Sequence, residues 1–223
     1  MTGQRHLHEE VERLQSRLLG MAGIAEEMVR LAVEALQQRD AAAAERVIDR
    51  DEAVDAAEME IDDLAISLLA LQQPMARDLR FITMAMKISN DLERVGDHAV
   101  NIAEEVKFIL ESPPFPVLPE IDEMSRIATG MLADALDSFV RLDSRLARAV
   151  CQRDDGVDEL RDNIFRVLLT HMMEDPRRIS GGMDMVLVSR NLERIADLAT
   201  NVAEDVVFLV EGRSIKHGAS ASV

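Results

Sequence analysis

Tryptophan and tyrosine are absent from the 223 residues, and aromatic side chains make up only 3%. A sandwich or barrel core built on aromatic and β-branched pairs is excluded by that shortage. One cysteine, Cys151, is present. It has no partner for an internal disulfide and no companions for a thiolate zinc site, so a buried free thiol in a reducing cytoplasm is expected. No run of 18 apolar residues occurs, which excludes a helical membrane span. The opening "MTGQRHLHEEVERL" has no apolar stretch of the kind a signal peptide carries. Positive charge is also scarce. Against 42 Asp and Glu stand 25 Lys and Arg, a net charge of −17. Such a surface repels nucleic acid and anionic lipid and attracts cations and basic protein surfaces.

Hydrophobic residues make up 48% of the chain and are mostly Leu, Ala, Val, Ile and Met, which suit helices. Four of the six prolines crowd into "SPPFPVLPE" at 112–120, which reads as a linker. The other two, Pro74 and Pro176, read as turns, with Asp78 and Ser180 as N-caps of the helices after them. The 3–4 periodicity predicts helices over roughly 5–38, 41–72, 77–111, 119–151, 155–174 and 181–212. Leu14, Leu18, Met21, Ala25, Met28 and Ala32 mark one buried stripe.

The chain repeats itself. "IDRDEAVDAAEMEI" at 48–61 recurs as "CQRDDGVDELRDNI" at 151–164, an offset of 103. From 88 to 111 the offset is 100, and 12 of 24 positions are identical. The expected fold is therefore all-α, two tandem three-helix bundles related by internal duplication, with six long helices. The expected divisions are a first bundle over 1–112, a linker over 113–119, a second bundle over 120–217 and a disordered tail over 218–223.

The most informative stretch is "NDLERVGDHAVNIAE" at 90–104, which returns as "RNLERIADLATNVAE" at 190–204. At about 100° per residue, Asp97, Asn101 and Glu104 fall within about 80° of Glu93. Val95, Ala99, Ile102 and Val106 fall on the opposite side, at about 180–240°. Glu193, Asp197, Asn201 and Glu204 repeat the pattern. In the antiparallel hairpins, simple counting sets Asp51 and Asp55 level with the first stripe. It sets Asp154 and Asp158 level with the second, Asp154 beside Thr200. An ordinary acidic stripe is a solvated face. Here Glu93 and Asp97 are like charges at i,i+4, which is unfavourable by a few tenths of a kcal/mol, and the asparagine recurs in place. A hard cation held by oxygen ligands (Mg²⁺, Ca²⁺, Mn²⁺ or iron) would satisfy such a set.

Other chemistry is excluded. No histidine has a Glu three residues before it, as a ferritin-like di-iron bundle requires. There is no phosphate-cradling glycine loop and no nucleophile elbow, so no enzyme is expected. His98 has Leu198 as its counterpart, so it is no shared ligand. "MARDLRF" at 75–81 reads as a capped, salt-bridged turn or as a partner-docking corner.

"DLERVGDHAVNIAE", its copy "NLERIADLATNVAE" and "ALQQPMARDLRF" resemble the PhoU family of bacterial phosphate-signalling regulators, over nearly the whole chain. The resemblance implies a cytoplasmic, non-enzymatic regulator that restrains phosphate uptake and the phosphate-starvation response. It implies docking on the ATPase of a phosphate ABC transporter and on a membrane sensor histidine kinase. Separately, exposed long helices often pair, so a homodimer or higher oligomer is expected. The resemblance also implies iron or zinc on Asp51, Asp55, Glu93, Asp97 and Asn101, and on Asp154, Asp158, Glu193, Asp197 and Asn201. Leu198 departs from the histidine common at that place. An acidic helical scaffold with no metal or phosphate role is the alternative.

Overall fold

The computed structural model describes residues 2–72, 74–112, 118–212 and 215, without the side chains of 2–6 and Arg77. Most of the expected linker and the expected disordered tail lie outside the described residues. Among the described residues there is no strand. The helices are α1 (Thr2–Gln38), α2 (Ala41–Ile48), α3 (Asp51–Gln72), α4 (Ala76–Glu111), α5 (Pro119–Arg141), α6 (Ser144–Cys151), α7 (Asp154–Glu174) and α8 (Ile179–Glu211). Six are long, three per repeat, as the duplicated pattern requires. α2 and α6 are short additions of 8 residues each.

Those additions correct two continuous helices expected at 41–72 and 119–151. Each repeat breaks the chain in the same way. Arg39 and Leu142 both adopt φ 53°, a left-handed conformation without glycine. The next residue is an aspartate in both cases. Asp40 Oδ1 accepts from the amides of Ala42 and Ala43, and Asp143 Oδ1 from those of Arg145 and Leu146. The caps satisfy amides that a helix start leaves bare and so fix where α2 and α6 begin. Asp40→Ala should destabilise the fold by about 1 kcal/mol. Arg39→Gly, which removes a Cβ from a left-handed position, should recover a few tenths to 1 kcal/mol. Chemical denaturation of both variants decides it, and equal midpoints would contradict the capping account.

The capping roles expected for Asp78 and Ser180 are also corrected. α4 starts at Ala76 behind Met75, which makes no side-chain cap, and Asp78 lies in its first turn. Ser180 is inside α8. Asp175 caps instead, accepting from the Arg177 amide at 3.1 Å where a 3₁₀ turn, Pro176–Arg178, leads into α8.

The stripe on α1 is buried from Leu14 through Ala32, as its spacing predicts. Within each repeat the long helix packs on the hairpin, and α4 and α8 pack on each other to join the repeats. Lys87 meets Asp205, and His98 Nδ1 lies 2.9 Å from Asn191 Oδ1. Numbers rise along one helix as they fall along the other, so the two are antiparallel. Interpolating between those contacts puts Val95 level with its own repeat, Ile195, and both are fully buried. The seam therefore has an approximate two-fold axis. Phe81 of α4 also stacks on Phe139 of α5, ring centroids 4.7 Å apart.

Candidate functional site

The acidic faces lie on the outer side of this seam, each between the arms of one hairpin. On α4, Leu92, Val95, Ala99 and Ile102 are buried, which turns Glu93, Asp97 and Asn101 outward. Gly96 lets α3 come close: a Cβ there would lie 3.3 Å from Val54 Cγ1 and 3.7 Å from Asp51 Oδ1. Counting along the hairpin fixes heights only. The structure supplies the facing.

In the first repeat Asp51, Asp55, Glu58, Glu93 and Asp97 share one field. Burial raises the Asp51 carboxyl above the ordinary carboxylate range, and Asp55 and Asp97 raise it further. Burial also raises Glu93, followed by Asp97, Glu58, Asp55 and Asp51. Arg94, on the flank, reaches Asp91 at 3.6 Å instead. Asn101 is exposed, one turn beyond Asp97. Glu58 was missed in the sequence. Its signal was available, since it lies one turn after Asp55 on the same helix.

The second repeat differs. Glu193 receives the Arg161 guanidinium at 2.7 Å, and the same group lies 3.3 Å from Asp158 and 2.9 Å from Asp162. Arg194 reaches Asp197 at 2.9 Å. Thr200 donates to Asp154 Oδ1 at 3.2 Å, the level that counting along the hairpin gave. Burial, then Asp197, raise the Asp154 carboxyl; the Thr200 hydrogen bond opposes them, while Asp158 and Asp155 add to the rise. Asn201 is half-buried. Arg161, Asp162, Arg194 and Thr200 were not among the expected site residues.

Among the described residues, no three His, Cys, Asp or Glu side chains are gathered closely enough to hold a metal ion. In the first repeat the carboxylates repel one another, which is why neighbouring acidic groups add to the rise of Asp51 and Glu93. The donor set still fits a hard cation, because its ligands are all oxygen and its charge is in excess.

Cys151, expected to be buried, is half-buried. Its thiol is pushed up to about 11, by burial first and then by the Glu204 carboxylate. At pH 8 its thiolate fraction is then roughly 100-fold below that of an ordinary thiol. Iodoacetamide should alkylate the folded protein about 100-fold more slowly than the urea-unfolded chain. Equal rates would contradict the burial argument.

Asp78, Arg80 and Phe81 of "MARDLRF" line a separate cleft of about 760 Å³, with His8, Val11 and Val140 among the other walls. It lies well away from the acidic faces. Glu12 and Gln15 also line it, so its walls are mixed, and among the described residues no three of its His, Asp and Glu side chains gather to hold a metal ion. No helix among the described residues is long and apolar enough to cross a membrane.

Both halves of the chain match the family model for the PhoU domain, over residues 18–106 and 121–206. A phosphate-specific transport system accessory protein PhoU homolog of Caulobacter vibrioides is 41% identical over 208 residues, covering 93% of this chain and 90% of that protein. The homolog of Aquifex aeolicus is 42% identical over 211 residues, covering 95% and 96%. The crystal structure of PhoU from Pseudomonas aeruginosa superimposes with a TM-score of 0.87 at 39% identity, covering 92% of this chain and 99% of that one. The phosphate transport system regulatory protein PhoU from Streptococcus pneumoniae gives a TM-score of 0.86 at 29% identity, covering 94% and 99%.

Proposed function

The chain belongs to the PhoU family, and from that premise we propose that it is a cytoplasmic, non-enzymatic regulator which restrains phosphate uptake and the phosphate-starvation response. It acts by docking on the ATPase of a phosphate ABC transporter and on a sensor histidine kinase. The observation that carries this reading is the likeness of both repeats, over nearly their full length, to accessory proteins of phosphate-specific transport. A docking role is supported by exposed apolar side chains along the second hairpin. Phe165, Leu169 and Met173 lie along one line on α7, and Ile179, Met183 and Leu187 along another on α8, all at least 36% exposed. Rows of exposed large apolar side chains at helical spacing are surface that a partner can cover.

The first acidic face is proposed as the metal-binding element, with Asp51, Asp55, Glu58, Glu93 and Asp97 as donors and Asn101 alongside. A divalent cation there would supply the positive charge that these groups lack. Deleting the coding gene should derepress phosphatase expression in high phosphate. The wild-type gene should restore repression, and Asp97→Ala combined with Asp197→Ala should restore it less well. Full repression without the gene would overturn the regulator reading. The scaffold alternative draws support from one observation, the absence among the described residues of three converged ligands. It predicts no bound metal and no phosphate phenotype.

A further inference from the structure

We propose that Arg161 is a built-in counterion that stands where a metal would stand in the second repeat, so that the two acidic faces are unlike. The first answers to a cation from solution. The second carries part of its counterion in its own chain, Arg161 on Glu193 and Asp158.

The comparison of the repeats carries this. At the offset of 103, Arg161 corresponds to Glu58. The same position is therefore a fifth carboxylate in one repeat and a guanidinium in the other. Its placement matches its charge: Nη1 lies 2.7 Å from Glu193 Oε1 and 3.3 Å from Asp158 Oδ1, bridging α8 to α7 as a shared cation would. The Glu193 side chain is only 13% exposed and that of Arg161 34%, so the contact is partly shielded from solvent.

A second exchange has the same sense. In the first repeat Asp91 draws Arg94 away at 3.6 Å. Its counterpart is Asn191, which carries no charge, and Arg194 turns to Asp197 at 2.9 Å. A third exchange is at position 190. Arg161, Arg190 and Arg194 all line one small cleft of about 220 Å³, where the matching residues of the first repeat are Glu58, Asn90 and Arg94. A divalent ion would have to displace Arg161 and accept Arg190 and Arg194 as neighbours. The donor set of the second face therefore does not fit a metal.

The inference deepens the metal reading of the first face, and its test separates the two. The full-length protein, stripped with chelator and dialysed, is titrated with Mn²⁺, and free Mn²⁺ is followed by electron paramagnetic resonance. Wild-type protein should show one class of binding. Asp97→Asn should abolish it and Asp197→Asn should leave it unchanged. Arg161→Glu, which makes the second face resemble the first, should add a second class of similar affinity. Asp197→Asn in that background should remove the added class. Arg161→Gln should gain binding about tenfold weaker, and serves if Arg161→Glu fails to fold by circular dichroism.

Loss of half the wild-type capacity in Asp197→Asn would overturn the inference, as would Arg161 variants that fold but gain nothing. A wild-type protein that binds no Mn²⁺ while Arg161→Glu does would sink the first-face reading and sustain this one.

Discussion

Replacing Phe139 with alanine is expected to destabilise the protein by about 3–5 kcal/mol, the range for truncating a fully buried aromatic. Phe139 is fully buried and belongs to the second bundle, yet it stacks on Phe81 of the first at 4.7 Å. Truncation removes both its share of apolar burial and the ring that Phe81 rests on. A chain this size should lose roughly 6–20 °C in Tm. Phe139→Leu keeps most of the volume and should cost about 1–2 kcal/mol. Urea unfolding followed by circular dichroism measures both. A loss below 1 kcal/mol for the alanine variant would mean that the cavity closes by repacking and that the ring contact holds nothing together.

The next largest effect is expected at Lys87. Its ammonium reaches Asp205 across the seam, and that carboxylate is only 8% exposed. Removing the cation from a nearly buried carboxylate costs far more than breaking a surface pair, because the remaining charge is poorly solvated. Lys87→Ala should lose about 2–4 kcal/mol. The combination with Asp205→Leu should lose less than the sum of the two single variants, since the stranded charge is gone. A double-mutant cycle with coupling below 0.5 kcal/mol would show that other partners of Asp205 carry it unaided.

Much of the helical fold and its duplication is visible in the sequence, because period and repetition are local properties. Leu14 through Ala32 announce one buried stripe, and the copy of 48–61 at 151–164 announces two halves. The break at Arg39 falls between the helices expected at 5–38 and 41–72, but its counterpart at Leu142, inside the helix expected at 119–151, was hidden. A left-handed residue is normally signalled by glycine, and here an arginine and a leucine adopt it. The aspartate after each was the readable clue. The acidic residues of the site were legible too, since a helical stripe needs no tertiary knowledge. The guanidinium that answers them on one side was not. Counting along a hairpin fixes height, whereas Arg161 meets Glu193 through a side-chain direction set by how α7 packs on α8. Aligning Glu58 with Arg161 would have exposed the reversal without any coordinates.

The antiparallel seam of α4 and α8 has a further consequence. Two separate identical chains meeting across such an axis must accept every contact twice, because each residue faces its counterpart's partner. Joining the halves in one polypeptide lifts that obligation. Lys87 meets Asp205, but the mirrored positions are Leu187 and Glu105. His98 meets Asn191, but the mirrored positions are Leu198 and Asp91. Linkage in one chain thus turns a contact surface that would be symmetric into one with two distinguishable sides. A partner that approaches along the axis meets a molecule with a fixed left and right.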